Sequence, residues 1–253
     1  MNVAGHLDHA CECALSGVKR TSRGQSGKRM KLSRRYIRVV GLVSAVVVAG
    51  FLGAGMLLVG QSNVSPQAIA SSVTRTPELM ERAWRLPVAA TFNRRVTWQS
   101  NGSRCGPAAV ANAYRSLGEA ATTEAKVLAG TGRCWTGLCI IGLTLDELAD
   151  VARANTARKI TLLRDLSEEQ FREHLRRSND LGRRYIVNFT REKIFGAGVG
   201  HHSPIGGYLE PEDLVFILDV NPAYQPWLIE RRRLFDAVNT LDGDKKRGLL
   251  LIE

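Results

Sequence analysis

The chain has 253 residues, 44% of them hydrophobic and 23% charged, enough for one ordinary core and unlike a disordered or fibrous composition. Its net charge of +11 is concentrated at one end: residues 1–38 hold nine Lys and Arg against Asp8 and Glu12, leaving 26 basic and 22 acidic residues for the body. That near balance, with no interleaved basic and aromatic pattern, argues against a nucleic-acid partner, and five scattered cysteines do not make a disulfide scaffold.

Residues 1–29 are polar and irregular, and their Cys11-Glu-Cys13 pair is a candidate for a metal or a palmitoyl group without further ligands beside it. Met30 to Arg38 is by itself a positively charged lead-in, so Met30 is an alternative start. Val39 to Gly60 is a run of 22 residues without a charge. As a helix it reaches about 33 Å, matching a hydrocarbon core of roughly 30 Å. It is expected to anchor the chain in a membrane. Basic residues flank only its N-terminal side, which puts residues 1–38 in the cytoplasm and everything after Gln61 on the extracytoplasmic, periplasmic side. A cleaved signal peptide is the alternative, because Ala68-Ile-Ala70 has the small-x-small form, although the apolar run exceeds the usual h-region of about 7 to 15 residues.

Residues 61–76, rich in Ser, Gln and Thr, read as a linker to a folded domain over 77–253. Pro77 to Arg85 is predicted to be a short helix. A longer one follows Cys105, with Val110, Tyr114 and Leu117 at helical spacing, Pro107 in the first turn and Gly118 at the end. Thr144-Leu-Asp-Glu147 and Ser167-Glu-Glu-Gln170 are capping boxes that open two more. The period then changes to two, and Tyr185–Thr190, His201–Leu209, Leu214–Val220 and Gly248–Ile252 read as strands, with Glu210 to Asp213 as a turn. Helices followed by an antiparallel sheet make an α+β fold.

The chemistry is carried by two separate stretches. In Gln99-Ser-Asn-Gly-Ser-Arg-Cys105-Gly-Pro, a cysteine at a helix N-terminus meets unpaired N–H groups that favour a thiolate. Gln99, six residues upstream, is placed to donate to an oxyanion. In the strand pair, His201 can take the thiol proton and return it to a leaving amine, and Asp219, a costly carboxylate inside an apolar strand, can orient the imidazole. If Leu209 pairs with Leu214, alternation puts His201 and Asp219 on opposite faces. The site therefore predicts an irregularity, such as a bulge near Pro204. His202 is then expected to point away, into packing or solvent, with an exchange of roles between the two histidines left open.

The series Gln99…Cys105-Gly106, Tyr185-Ile-Val-Asn-Phe-Thr-Arg191, Gly200-His-His-Ser-Pro-Ile-Gly-Gly-Tyr208, Ile217-Leu-Asp-Val220, Pro226-Trp227 and Lys246-Arg-Gly248 resembles the catalytic domain of phytochelatin synthase, from about Thr91 onward. The resemblance implies a papain-like cysteine-protease fold in which Cys105 attacks the cysteinyl–glycine bond of glutathione. Glycine leaves, and the γ-glutamylcysteinyl group passes to a second glutathione or to water. By position it implies Cys105 as nucleophile, His201 as base, Asp219 as orienting acid and Gln99 as oxyanion donor, with Arg191 as a candidate for the substrate carboxylate. No cofactor is required; a heavy-metal ion such as cadmium or zinc would enter as a metal–thiolate of the substrate. The chain departs from the family at Gly102-Ser-Arg104 before the cysteine and at Pro222 after the acid, and its short form resembles bacterial members in which hydrolysis dominates. Cys134 and Cys139 either pair as a disulfide outside the cytoplasm or stay as thiols. Two other readings keep part of this pattern: a double-glycine leader peptidase using the same triad, and a membrane-tethered thiol or metal-binding module without turnover.

Overall fold

The computed structural model describes residues 43–44, 64–134, 139 and 142–253. The anchor expected over 39–60 and the basic segment before it lie outside the described residues apart from Val43 and Ser44; among the described residues no helix is long and apolar enough to cross a membrane.

The centre of the fold is a six-stranded antiparallel sheet. Its strands are β1 (Ile160–Leu163), β2 (Arg184–Thr190), β3 (Gly200–Leu209), β4 (Leu214–Ile217), β5 (Trp227–Glu230) and β8 (Gly248–Ile252), in the order β1-β8-β2-β3-β4-β5. Two short strands, β6 (Leu241–Asp242) and β7 (Lys245–Lys246), pair as a hairpin just before β8. This is the mixed helix and antiparallel-sheet architecture expected from the pattern.

Both faces of the sheet are covered, and the period of two sorts the side chains between them. Tyr185, Val187 and Phe189 of β2 join Phe171 and Leu175 of the helix Glu168–Arg177 and Leu234 and Ala237 of the helix Arg231–Val238. Ile186 turns the other way, with Leu250 and Ile252, against the helices Cys105–Leu117 and Leu145–Arg153. A strand buried on both sides has no polar face to show, which is why Tyr-Ile-Val-Asn-Phe reads as a nearly continuous apolar run. Both capping boxes form as expected, Thr144 with Glu147 and Ser167 with Gln170.

The linker expectation is corrected in its second half. Residues Pro66–Ser72 form a helix capped by Ser65, whose Oγ accepts from the Ala68 N–H at 3.1 Å. Its Ile69 is buried in the core, and Thr74 exchanges backbone hydrogen bonds with Leu228 of β5 at 2.8 and 3.1 Å. Ser and Pro, taken from sequence as loop residues, are here an N-cap and a first-turn proline. Ala68-Ile-Ala70 therefore lies inside a docked helix.

The β3–β4 hairpin carries the irregularity that the site required. Leu209 pairs with Leu214 and Gly207 with Phe216, but Ile205 pairs with Ile217, so one extra residue of β3 is accommodated around Gly206. The slip of one returns His201 and Asp219 to the same face. Gly207 sits at φ +147°, where an added Cβ would stand 2.5 Å from Asn179 Oδ1 and 2.8 Å from Leu86 Cδ1. Asn179 approaches closely because its amide replaces a strand neighbour, donating to the Tyr208 carbonyl and accepting from the Tyr208 N–H, both at 3.0 Å. Gly207→Ala is expected to cost about 1–3 kcal/mol of unfolding free energy in denaturant titration. Gly118→Ala, at φ +76° with nothing within 4 Å, should cost less; equal losses would mean that the bulge does not need the glycine.

Candidate active site

The helix Cys105–Leu117 begins at the cysteine itself, with Gly118 as its left-handed C-cap at φ 76° and no acidic residue in its first turn. Gly106 allows it to lie close against the helix Leu145–Arg153, since a Cβ there would stand 2.9 Å from Leu148 Cδ1. The loop before it is held by Glu124, which accepts from the Ser100 N–H at 2.8 Å and the Ser100 hydroxyl at 2.5 Å and pairs with Arg104 at 3.3 Å. Cys105 thus presents a buried sulfur at a helix N-terminus whose partial positive charge is not cancelled by a neighbouring carboxylate.

Asp219 is wholly buried, and donors surround it. His201 Nε2 lies 2.9 Å from Oδ1, the Asn221 N–H donates to Oδ1 at 2.9 Å, Trp227 Nε1 donates to Oδ2 at 3.2 Å, and Arg191 Nη2 stands 3.3 Å from Oδ1. Burial opposes the charge, but the His201 and Arg191 charges and these hydrogen bonds outweigh it and hold the carboxyl well below its ordinary range. Burial and Arg191 work against a charged His201, while Asp219 and Cys105 favour it, and the imidazole ends above its usual value. Burial pushes the Cys105 thiol up; the charge and hydrogen bond of His201, and then those of His202, pull it further down, to well below an ordinary thiol. A thiol held below its ordinary value, an imidazole held above its own and a carboxylate fixing the imidazole's Nε2 make the arrangement that attack on an acyl carbon and protonation of a leaving group call for.

His202 departs from the sequence expectation. It does not point away: its Nδ1 stands 3.8 Å from Cys105 Sγ, because the helix start lies at the end of β3, where it is reached from both faces of the strand. Gln99 is brought to the site by its backbone N–H, which donates to the Val220 carbonyl at 2.8 Å, next to Asp219. Its side-chain amide donates to the Asn101 carbonyl at 2.8 Å, and its Oε1 is buried without a partner among the described residues. An amide nitrogen has two N–H groups, so one donor is left. Arg191 is buried against Asp219, with its guanidinium 3.8 Å from the centre of the Tyr224 ring, and it stands outside the cavity that opens on the cysteine.

That cavity, of about 430 Å³, is lined by Ser103, Cys105, Leu143, His202, Asp242 and Arg247. Arg247 Nη1 donates to Asn188 Oδ1 at 2.7 Å, Arg247 Nη2 pairs with Asp242 Oδ1 at 3.2 Å, and Asn188 Nδ2 donates to Asp242 Oδ2 at 2.8 Å. Gly200 makes room for the set, since its Cβ would fall 2.4 Å from Arg247 Nη1. The sequence reading missed Asp242, and it gave no role to Asn188, which lay within Tyr185-Ile-Val-Asn-Phe-Thr-Arg191, or to Arg247, which lay within Lys246-Arg-Gly248. Cys134 and Cys139 form a disulfide, and the Cys139 N–H donates to Ser103 Oγ at 3.2 Å, two residues from Cys105. Among the described residues no group of three His, Cys, Asp or Glu side chains is arranged to hold a metal ion.

Fold and site together define a buried cysteine at the start of a helix, set beside a histidine–aspartate pair carried by a sheet. The family model for phytochelatin synthase matches residues 59–249, and the chain belongs to that family. Among its curated relatives, the glutathione gamma-glutamylcysteinyltransferase of Schizosaccharomyces pombe is 28% identical over 117 residues, covering 44% of this chain and 28% of that protein. Glutathione gamma-glutamylcysteinyltransferase 3 of Lotus japonicus is 34% identical over 116 residues, covering 44% of this chain and 24% of that protein. The aligned part thus spans about a quarter of the length of the curated relatives it matches. Among solved structures, the peptidase domain of Streptococcus ComA, a bi-functional ABC transporter, covers 62% of this chain and 96% of its own at 16% identity and a TM-score of 0.44.

The ion pair predicts how the thiol reacts with pH. Because the Cys105 thiol lies below its ordinary value, alkylation by iodoacetamide, assigned to Cys105 by mass spectrometry, should keep its plateau rate as pH falls through 7, where a thiol of pKa about 8.5 has lost most of its thiolate. His201→Ala should move the midpoint up toward the ordinary range. A wild-type midpoint of about 8.5 would rule out the ion pair.

Proposed function

We propose that this chain is a thiol acyltransferase and hydrolase acting on glutathione through a γ-glutamylcysteinyl thioester on Cys105. The observation that carries the reading is the pairing of the thiolate site with the Asn188–Asp242–Arg247 set across one small cavity. The γ-glutamyl end of glutathione carries an ammonium and a carboxylate on one carbon, and a half-buried carboxylate beside a buried guanidinium is complementary to that zwitterion. Family membership and the names of the curated relatives support the same substrate.

In this mechanism Cys105 attacks the carbonyl of the cysteinyl–glycine bond. The Cys105 N–H at the helix start and the remaining Gln99 amide donor receive the oxyanion, an interaction worth roughly 3 to 4 kcal/mol of barrier per donor. His201 gives its proton to the departing glycine amine, and the thioester is then taken by water or by a second glutathione. Arg191 acts as a positioning residue for Asp219 in this scheme, and the substrate carboxylate goes to Arg247. The arrangement is papain-like, with the nucleophile on a helix and its base and acid on the sheet. A heavy-metal ion would take part as the metal–thiolate of the glutathione substrate. A leader peptidase would need a groove continuing past the cysteine; a cavity walled by the Arg247–Asp242 ion pair favours a small zwitterionic peptide.

The proposed location is extracytoplasmic, on a single anchor over 39–60. The apolar run and its one-sided basic flank support this, as does the Cys134–Cys139 disulfide, since such bonds persist in oxidising compartments. A reporter fused after Glu253 should be active only outside the cytoplasm, and cytoplasmic activity would defeat this location.

The activity is tested by incubating the purified full-length protein with glutathione and following glycine. Wild type should release glycine and Cys105→Ala none. Asp219→Asn should lose about 10³- to 10⁴-fold in kcat through misorientation of His201. Arg247→Gln should raise KM by about 10-fold or more with a smaller change in kcat, since a lost charge-assisted hydrogen bond is worth about 1.5 to 3 kcal/mol. Equal glycine from wild type and Cys105→Ala would reject the reading.

A further inference from the structure

The Cys134–Cys139 disulfide takes no part in the chemistry described so far, yet hydrogen bonds run from it into the site. The Cys139 N–H donates to Ser103 Oγ at 3.2 Å, and the Ser103 hydroxyl passes the contact on by donating to Asn101 Oδ1 at 2.8 Å. The Ser103 N–H donates to the same oxygen at 3.0 Å, and the Asn101 carbonyl in turn accepts from the Gln99 amide at 2.8 Å. On the other side of the bridge the Gly142 N–H donates to the Cys139 carbonyl at 2.7 Å, and Gly142 and Leu143 line the cavity with Gly102, Ser103 and Cys105. One sulfur–sulfur bond thus supports both a wall of the cavity and the loop that carries the oxyanion amide. Cys134 is held at φ +55°, a left-handed conformation that a residue with a Cβ keeps only where its surroundings impose it, and the bond to the buried Cys139 is a restraint of that kind.

We infer that the Cys134–Cys139 pair is a redox modification site that governs the active site through Ser103. Closed, it fixes the wall and the Gln99 loop; opened by a small thiol, it releases both and slows acyl transfer. This rests on the acyl-transfer reading above. Cys139 is 4% exposed, whereas Cys134 is only partly buried, so an external thiolate meets the Cys134 sulfur. Its attack forms a mixed disulfide with Cys134, and Cys139 leaves with the electron pair. A second thiolate attacks the outer sulfur of that mixed disulfide and frees Cys134. The small thiol is oxidised to its disulfide, the two cysteines gain two electrons, and the protons given up by the attacking thiols end on Cys134 and Cys139. Glutathione is itself such a thiol, so the state of the bridge follows the balance of reduced and oxidised glutathione around the protein. With the extracytoplasmic location proposed above, the bridge is open where thiols are kept reduced and closes after export.

The test assays the full-length protein at one concentration of reduced glutathione and increasing oxidised glutathione, with the bridge read by mass after trapping free thiols with N-ethylmaleimide. Glycine release by wild type should rise about 10-fold as the bridge closes, part of the 10²- to 10³-fold that losing a whole oxyanion donor costs. The double variant Cys134→Ser, Cys139→Ser should stay at the low rate throughout. Ser103→Ala keeps the bridge without its hydrogen bond, and it should be slow whether the bridge is open or closed. Equal rates for open and closed wild type, or a response in Ser103→Ala as large as in wild type, would overturn the inference. Should the double variant fail to fold, wild type opened with a phosphine and closed again decides: the rate must fall and then return, and a fall that persists with the bridge re-formed overturns it. Acetylation of Cys105 by p-nitrophenyl acetate, assigned by mass after the phosphine is removed, develops the same oxyanion without glutathione and should slow by a similar factor on opening. If wild type releases no glycine, the glutathione reading fails by itself, and acetylation still decides the switch: equal rates in the two states overturn it.

Discussion

A carboxylate with no exposed surface is the constraint on which this site rests. Asp219 can stay ionised in the core only while His201, the Asn221 N–H, Trp227 and Arg191 all reach it, because removing one partner leaves a buried charge under-compensated. Each of those partners is in turn held by something else. Trp227 lies in β5 with its ring edge-on to Phe189, Arg191 starts the helix Arg191–Phe195 and stacks on Tyr224, and His201 reaches Asp219 only because β3 slips by one residue. The orientation of one imidazole is thereby written into three strands and a bulge.

The cysteine comes from a different layer. The helix that opens with Cys105 packs on the face of the sheet that carries Ile186 and Leu250, whereas Asp219 and Trp227 are tied to the opposite core through Phe189. The sulfur therefore lies beside the first residues of β3 and not in the middle of either face. A cavity bordered by loops results, and loops are where the chain is free to vary its side chains. Glu124 ties down the loop before the cysteine, the disulfide reaches Ser103 through the Cys139 N–H, and the β6–β7 hairpin brings Asp242 and Arg247 to the other wall.

Much of this was legible beforehand because it depends on local rules. Capping boxes at Thr144 and Ser167, the helix between Cys105 and Gly118, and the turn at Glu210–Asp213 are each specified by a few adjacent residues, and they form where expected. The bulge was predictable only through function: alternation set His201 and Asp219 apart, and a working pair demanded a slip. Other elements were hidden. The helix Pro66–Ser72 looked like linker because Ser and Pro also cap helices. The helix Arg231–Val238 opens with three arginines, against the preference for acidic residues at a positive helix end, and β5 is only four residues long.

The chain by itself determined which residues are candidates for chemistry and which elements hold them, because a thiol at a helix start, an imidazole in a strand and a carboxylate among apolar neighbours are each costly or reactive without partners. Only the tertiary structure decided how they face one another. It turned His202 toward the sulfur, placed Arg191 behind Asp219 and away from the cavity, and drew Arg247, Asp242 and Asn188 into one hydrogen-bonded set. Those contacts join residues up to 97 positions apart. At that separation no local pattern records them, and they follow from which strands pair, in which register, and which face of the sheet each helix covers.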